Sequence, residues 1–409
     1  MIQFTALYTT GQTPKEIPFG IGCFVAAMST GYSISVEQTR IMYAVASSQL
    51  LKQAEYGTPN SWIQDIEETK WRGRWIPFRD QLHSVKDGKG QPVRMMSPED
   101  VSSEIQKCDL LLLYAHGGGF EFGDMMQCFV YQQKMMAYMQ EKGVKISFMG
   151  IDYSLSPETP FPGAFNETVA AYLDMITKYG VDPKKIITFG ESAGGNLAHV
   201  VSIKIRDLYP NQPEFLPGGT ISFSPYFPSD ASMTASIYDV ISPLGCERFM
   251  ESYLHNDRAL LLDPYVNPTY AKTLKGLPPM LIIAGGAEKF LPSIEQFAKK
   301  AKVDGTTVWP TSTSQDKSSP LASISKGSDQ VLGVVHGRQD PKDPNVQMGL
   351  SIAIAGLTSA VDGRTLAQSR AISSKLKAKA AKRSGFATPE AIEQWATKAE
   401  AENKNWTAY

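Results

Sequence analysis

Hydrophobic residues gather in short uninterrupted runs in the middle of the chain, and stretches with helical periodicity separate them. The runs cover residues 109–114, 144–153, 185–189, 220–225 and 278–286. An uninterrupted apolar run of this length is typical of a strand buried on both faces of a parallel sheet. Amphipathic stretches between the runs, such as residues 164–179, predict helices that cover the sheet. The pattern therefore predicts an α/β fold with a mostly parallel twisted sheet flanked by helices.

The regions on either side of this pattern set the predicted domain boundaries. The predicted segments are a helical N-terminal cap at 1–68, the main α/β domain at 69–345 and a C-terminal helical extension at 346–409. Within the main domain, residues 226–276 predict an insertion with little strand character. Two interpretations of this insertion stay open, a cap or roof over a pocket and a surface excursion with its own small core. Residues 306–330 are rich in Ser, Thr, Asp and Lys, which predicts a flexible surface loop.

A glycine-serine motif stands where a predicted strand meets a predicted helix. Its sequence is Gly-Glu-Ser-Ala-Gly at residues 190–194, directly after the run 185–189. A G-x-S-x-G stretch in this setting predicts a nucleophile elbow, a sharp turn that exposes a serine hydroxyl. The free N–H groups at the start of the following helix favour developing negative charge. Ser192 is therefore the candidate nucleophile, although a glycine-rich turn without chemistry also fits the five residues alone.

A second glycine-rich stretch follows the apolar run 109–114. It reads His-Gly-Gly-Gly-Phe at residues 116–120. Three successive glycines add no side chain to a core, but they let backbone N–H groups approach a ligand closely. A strand followed by this sequence predicts one part of an oxyanion hole that works together with the elbow. His116 itself is interpreted as a structural turn residue.

A serine nucleophile needs a neutral imidazole to take its proton and a carboxylate to orient that imidazole. In elbow-type enzymes the chain order is Ser, then acid, then His. His336 satisfies this order, because it ends the short predicted strand at 331–335. The other histidines precede the serine or the candidate acid; they are His83, His116, His199 and His255. Glu288 is the one carboxylate in the loop after the run 278–286, which makes it the candidate acid, with a helix-dipole role as the alternative.

Composition narrows the function classes further. The formal net charge is −1, with 40 Lys and Arg against 41 Asp and Glu, which gives no reason to expect nucleic acid as a partner. The four cysteines are scattered without a metal-ligand spacing and indicate reduced thiols in a cytoplasmic protein. No apolar block near the N-terminus is long enough for a stable membrane span. The oligomeric state is left open.

The four motifs together resemble the hormone-sensitive-lipase-like branch of the α/β-hydrolase superfamily. The resemblance covers about residues 69–338, including Asp-Tyr-Ser-Leu-Ser-Pro-Glu at 152–158 and Val-His-Gly at 335–337. It implies the α/β-hydrolase fold and an oxyanion hole formed by the N–H groups of Gly118, Gly119 and Ala193. It also implies hydrolysis of carboxylic esters, often with small acyl groups, without a cofactor or metal. Members usually carry aspartate at the position of Glu288.

The resemblance and the motifs lead to a functional hypothesis with two alternatives. The first is a serine esterase for a small or medium ester, with short acyl groups such as acetyl, and the triad Ser192, Glu288 and His336. One alternative is a catalytically silent protein of the same fold that binds a small molecule. The other is a biosynthetic deacetylase or acyltransferase, which would use the same residues.

Overall fold

The computed structural model describes residues 35–51, 63–78, 97–228, 241, 243–285 and 288–313, which form one eight-stranded sheet with helices. The strands are β1 (Gln64–Glu67), β2 (Arg72–Ile76), β3 (Leu110–Ala115), β4 (Ile146–Ile151), β5 (Ile186–Glu191), β6 (Gly219–Phe223), β7 (Met280–Gly285) and β8 (Val308–Thr313). Their order across the sheet is β1-β2-β4-β3-β5-β6-β7-β8. Strand β2 pairs antiparallel with β1 and β4, and every pair from β4 to β8 is parallel. The predicted mostly parallel α/β sheet is confirmed.

The described helices alternate with the strands. They are α1 (Val36–Leu51), α2 (Pro98–Gln106), α3 (Phe129–Glu141), α4 (Gly163–Thr177), α5 (Ala193–Leu208), α6 (Pro243–Tyr253) and α7 (Leu291–Val303), with 3₁₀ turns at Pro183–Lys185, Pro213–Phe215, Arg258–Leu262 and Pro268–Tyr270. Helix α1 begins with a capping box, in which Gln38 N–H donates to Ser35 Oγ and Ser35 N–H donates to Gln38 Oε1. None of these helices is long and apolar enough to cross a membrane.

The sheet is buried on both faces because helices pack against each of them. Every residue of β3 is buried, and its side chains point alternately to opposite faces. Leu111 and Leu113 join the hydrophobic core that contains residues of α4 and α5. Leu112 and Tyr114 join a second core that contains residues of α3. This two-sided burial explains why the sequence of β3 is an uninterrupted apolar run.

Three elements differ from the sequence-based expectation. The prediction of a flexible loop at 306–330 is wrong for Val308–Thr313, because these residues form β8 and pair with β7. Residues 314–330 lie outside the described residues. Strand β1 lies inside the segment 1–68 that was expected to be a helical cap, yet it pairs with β2 as part of the sheet. Helix α2 was not anticipated at all. Its start is marked by a capping box between Ser97 and Asp100, with Pro98 in the first turn.

The parallel strands bring the predicted motifs to one edge of the sheet. Ala115 at the end of β3 is paired with Gly190 of β5, and Glu191 of β5 is paired with Phe223 at the end of β6. In open α/β sheets, chemistry takes place at this carboxyl edge. The glycine-rich stretch after β3, the elbow after β5 and the loop after β6 therefore meet there. The predicted strand at 331–335 and the extension at 346–409 lie outside the described residues.

Candidate active site

Ser192 lies between β5 and α5 in a backbone conformation that L-residues rarely adopt, with φ 52° and ψ −119°. Its N–H donates to the carbonyl of Phe223 at 2.9 Å, and its carbonyl accepts from the N–H of Tyr226 at 2.8 Å. A conformation of this kind costs on the order of 1–3 kcal/mol and persists only where the surroundings impose it. The end of β6 and the residues after it impose it here. The sharp turn predicted from the G-x-S-x-G motif is confirmed.

The turn is tight because glycine allows the backbones to approach each other. A Cβ atom on Gly194 would lie 1.9 Å from the carbonyl oxygen of Ala115 at the end of β3. No side chain fits at that distance. The absence of a Cβ at Gly194 therefore lets α5 begin directly against β3, beside the glycine-rich stretch.

The glycine loop, defined as residues 116–123, runs alongside the serine. A Cβ on Gly117 would lie 3.2 Å from the Cβ of Ser192. Gly118 and Gly119 have φ values of 118° and 60°, which suit glycine. In the described part of the chain, the N–H groups of Gly118, Gly119 and Ala193 donate to no acceptor. These three amides are thus available for a ligand next to Ser192.

Glu191 connects the elbow to the glycine loop through a buried carboxylate. Its Oε1 accepts hydrogen bonds from the N–H of Gly117 and from the hydroxyl of Tyr114, both at 2.8 Å, and from the amide of Gln127. Burial raises the pKa of Glu191 to about 7, against the opposing effect of these donors. The carboxylate therefore serves as an anchor beneath the loop.

His116 is part of the loop's framework. It is fully buried, its Nδ1 donates to the carbonyl of Gly117 at 2.7 Å, and its ring stacks on Tyr153 with centroids 4.1 Å apart. The hydroxyl of Tyr153 donates to the carbonyl of His116 at 2.6 Å. Burial lowers the pKa of His116, which keeps the imidazole neutral. These contacts agree with the interpretation of His116 as a structural residue.

Glu288 lies at the same edge of the sheet, three residues after the end of β7. It is buried, and its Oε2 accepts a hydrogen bond of 2.6 Å from the hydroxyl of Ser224. Ser224 follows β6 with a φ of 43°, and its N–H donates to the carbonyl of Ile283 in β7. The structure thus joins Glu288 to the strand next to the elbow strand. Sequence reasoning missed Ser224, because no local pattern links it to a residue 64 positions away.

The histidines that sequence reasoning set aside have other surroundings. His199 is buried in α5, its Nε2 lies 2.9 Å from the hydroxyl oxygen of Ser222, and burial lowers its pKa to about 3. His255 is exposed after α6, with a φ of 51°. His83 and His336 lie outside the described residues. The structure therefore brings Ser192, the three amides and Glu288 to one edge, and the proposed base stays a prediction.

The described part of the insertion packs onto the glycine loop. A Cβ on Gly119 would lie 2.5 Å from Cγ of Phe249 in α6, so the aromatic ring lies directly against Gly119. Phe249 also packs with Phe122 of the loop and Tyr43 of α1 in a small hydrophobic cluster. Phe120 stacks on Tyr253 of α6 with ring centroids 3.6 Å apart. These contacts favour the roof interpretation of the insertion.

Comparisons with known proteins agree with this geometry. Residues 112–313 match the family described as having the alpha/beta hydrolase fold. An esterase from Acinetobacter venetianus is 28% identical over 221 residues, which cover 52% of this chain and 68% of that protein. Human arylacetamide deacetylase-like 2 is 35% identical over 139 residues, which cover 32% of this chain and 33% of that protein. The chain thus spans between a third and about two thirds of these relatives.

Solved structures show the same fold. The thermostable carboxylesterase EstE1, cloned from a metagenomic library, has a TM-score of 0.59 at 22% identity and covers 80% of this chain and 98% of its own. An esterase from the bacterial hormone-sensitive lipase family has a TM-score of 0.55 at 19% identity and covers 89% of this chain and 98% of its own. The elbow, the glycine loop, the family match and these structures agree that the chain has the α/β-hydrolase fold, and its motifs resemble those of the hormone-sensitive-lipase-like branch.

Proposed function

We propose that this protein is a serine hydrolase of carboxylic esters with short acyl groups. One observation carries the proposal: Ser192 is held in a strained turn beside a glycine loop whose amides are open to a ligand. A structural serine has no need for a conformation that costs on the order of 1–3 kcal/mol. A nucleophilic serine needs this conformation, because the turn exposes its hydroxyl beside backbone N–H donors.

In the proposed reaction, Ser192 Oγ attacks the ester carbonyl carbon while the imidazole of His336 takes the hydroxyl proton. The carbonyl oxygen becomes an oxyanion that accepts hydrogen bonds from the N–H groups of Gly118, Gly119 and Ala193. The bond between the carbonyl carbon and the alcohol oxygen then breaks, and His336 returns the proton to the departing alcohol. Water then attacks the acyl carbonyl carbon while His336 takes a proton from it, the bond between that carbon and Ser192 Oγ breaks, and His336 returns the proton to Oγ, which releases the carboxylic acid and the free serine.

Glu288 is the proposed acid that orients His336. Its carboxylate is buried and receives the Ser224 hydroxyl on Oε2, so one oxygen is fixed in position. Its place after β7 agrees with the chain order of Ser, acid and His. Glutamate has one more methylene group than the aspartate that is usual at this position in the hormone-sensitive-lipase-like branch. The hydrogen bond from Ser224 gives the longer side chain a fixed direction.

Two observations favour a short acyl group. The ring of Phe249 lies against Gly119, one of the proposed oxyanion donors, and leaves little room on that side of the glycine loop. Among the relatives, a Streptomyces hygroscopicus protein named acetyl-hydrolase is 29% identical over 213 residues, covering 49% of this chain and 65% of its own length. An acetyl ester is therefore the first substrate class to test.

The test is hydrolysis of p-nitrophenyl acetate by the wild type and by Ser192→Ala. We expect the variant to lose at least about 10³-fold in kcat/KM, because the nucleophile is gone while backbone donors remain. The matched control is Ser202→Ala, a buried serine on α5 whose hydroxyl lies 3.2 Å from that of Thr220. Equal activity of Ser192→Ala and the wild type would refute the mechanism.

Labelling with a fluorophosphonate separates the esterase from a silent binding protein, since only an activated Ser192 forms the covalent adduct. Absence of the adduct together with absence of hydrolysis would favour the binding protein. A second candidate, hydrolysis of an acetamide, is supported by the human relative named arylacetamide deacetylase-like 2. Comparison of kcat/KM for p-nitrophenyl acetate with kcat/KM for p-nitroacetanilide distinguishes a preference for esters from a preference for amides.

A further inference from the structure

Arg40 of α1 contacts two of the motif loops at once, although it lies far from them in the sequence. Its Nε donates to the carbonyl of Glu121, just after the three glycines, at 2.8 Å. Its Nη2 donates to the carbonyl of Ser156, also at 2.8 Å. The guanidinium also forms a two-pronged ion pair with Glu158, with both distances 2.8 Å. One side chain thus holds both loops to the N-terminal helix.

The two carbonyls belong to backbone that shapes the glycine loop. The N–H of Glu121 donates to the carbonyl of Gly118 at 3.0 Å, which closes the turn that contains Gly118 and Gly119. Ser156 donates from both its N–H and its hydroxyl to the carbonyl of Phe120. Arg40 therefore fixes the far end of the turn, at Glu121 and at the segment that supports Phe120.

The side chain of Glu121 is held separately. It is fully buried and forms an ion pair of 2.8 Å with Arg248 of α6, the helix that also carries Phe249. Arg248 in turn donates to the hydroxyl of Thr39, the neighbour of Arg40, at 3.4 Å. The backbone of Glu121 is thus fixed from α1 and its side chain from α6. The turn with the proposed oxyanion donors is clamped between these two helices.

The ion pair alone does not account for this arrangement. The Glu158 side chain is 63% exposed, and an exposed ion pair contributes little to stability because water screens it. The Arg40 side chain is 31% exposed, and two of its N–H groups point to backbone carbonyls. A guanidinium has a rigid fork of donors that can satisfy a carboxylate and carbonyls together, which lysine cannot do. The carbonyl contacts are the feature that calls for arginine here.

We propose that Arg40 is a positioning residue for the oxyanion hole, acting through the carbonyls of Glu121 and Ser156; this inference rests on the proposed esterase function. Arg40 touches no reacting atom. It fixes the turn so that the amides of Gly118 and Gly119 point to the position where the oxyanion forms. Preorganised donors of this kind stabilise the transition state more than the bound substrate. Loss of Arg40 should therefore lower kcat and leave KM nearly unchanged.

The test compares Arg40→Gln, Arg40→Lys and Glu158→Gln with the wild type in p-nitrophenyl acetate hydrolysis. Removal of a whole oxyanion donor costs about 10²–10³-fold, and a displaced donor costs less, so we expect about a tenfold loss of kcat in Arg40→Gln. Arg40→Lys should recover part of it. Glu158→Gln keeps both carbonyl contacts and should change kcat by less than about twofold. Arg74→Gln, which removes the surface ion pair with Asp65, is the matched control.

Two further measurements separate positioning from simple destabilisation. Affinity for a trifluoromethyl ketone, which forms an oxyanion adduct on a nucleophilic serine, should fall in Arg40→Gln in parallel with kcat/KM. Amide hydrogen exchange in residues 117–122 should become faster in Arg40→Gln and stay unchanged in Glu158→Gln and Arg74→Gln. The second measurement needs no catalysis, so it tests the clamp even if the esterase proposal fails.

The inference is overturned by unchanged kcat and unchanged exchange in Arg40→Gln. It is also overturned if Glu158→Gln reproduces the full loss, because the ion pair rather than the carbonyl contacts would then carry the effect. Failure of the esterase proposal has a different signature, namely wild-type protein without hydrolysis that depends on Ser192. The two failures are therefore distinguishable in the same set of variants.

Discussion

Replacement of Glu191 by glutamine should change how the stability of the protein depends on pH. The carboxylate is buried beneath the glycine loop, and burial raises its pKa to about 7 from an ordinary value of 4.5. A carboxyl group with a raised pKa binds its proton more tightly in the folded state than in the unfolded state. Its contribution to stability is therefore full below about pH 4.5 and is lost as the pH rises towards 7.

The size of the effect follows from the same two values. The difference between about 7 and 4.5 corresponds to about 3 kcal/mol of linked free energy. Most of this loss falls between pH 5 and pH 8. Glutamine keeps an oxygen that can accept from Gly117 and Tyr114, but it has no proton to lose in this range. The free energy of unfolding of the wild type relative to Glu191→Gln should therefore fall by about 2–3 kcal/mol between pH 5 and pH 8.

The assay is urea unfolding of both proteins at several pH values from 5 to 8, followed by far-ultraviolet circular dichroism. Glu67→Gln is the matched control, because Glu67 is exposed on β1 and its replacement should leave the pH dependence unchanged. The reasoning is refuted if the wild type and Glu191→Gln show parallel pH profiles, or if the wild type gains stability relative to the variant as the pH rises. Parallel profiles would mean that the hydrogen bonds balance the effect of burial on the pKa of Glu191, and a gain in stability would mean that they outweigh it.

Four further replacements test other parts of the site. Gly194→Ala should unfold at least about 2 kcal/mol more easily in urea and lose activity, because its Cβ would collide with backbone. Ser224→Ala should lower kcat for p-nitrophenyl acetate about tenfold, because it removes the hydrogen bond on Oε2 of Glu288; an unchanged kcat would contradict this role. The His199→Gln variant should keep its activity within about threefold, because the imidazole of His199 forms its hydrogen bond with Ser222 and has no part in the proposed triad. Phe249→Leu should raise the ratio of butyrate to acetate kcat/KM about tenfold if the ring limits acyl length.

Sequence patterns predicted the centre of the sheet and the elbow because both are determined locally. Strands such as β3 are buried on two faces, and this leaves an uninterrupted apolar run in the sequence. The elbow needs small residues at fixed positions around Ser192, and this requirement is also visible in five consecutive residues. Features of this kind can be recognised without knowledge of any distant part of the chain.

The edge strands were missed because their physical requirements are weaker. Strand β8 is the last described strand of the sheet and contains Pro310, a residue that edge strands tolerate since one side of their backbone need not be paired. The polar residues of β8 give it a composition that resembles that of a loop. Strand β1 has four residues with buried and exposed side chains in alternation, which is too short for a firm periodicity. Edge strands therefore carry less sequence information than central ones.

The contacts that complete the site could not be predicted because they join distant parts of the chain. Ser224 and Glu288 are 64 residues apart, and Arg40 and Glu158 are 118 residues apart. Each pair depends on the three-dimensional arrangement of several elements. A single sequence shows that Arg40 lies on a helix, but not which carbonyls face it.

The glycine loop is held at both ends by charged groups of different kinds, and this determines how each end responds to perturbation. Glu191 fixes Gly117 from the buried side, where its own protonation is coupled to folding. Arg40 fixes Glu121 from the side of α1, with a guanidinium that stays charged at any pH a protein tolerates. A change of pH therefore acts on the Gly117 end through Glu191 and on the Glu121 end through the carboxyl of Glu121, whose pKa is also raised by burial, whereas the contact from Arg40 is unaffected. Because the proposed donors Gly118 and Gly119 lie between these two points, their alignment depends on both, and neither anchor alone is sufficient to fix it.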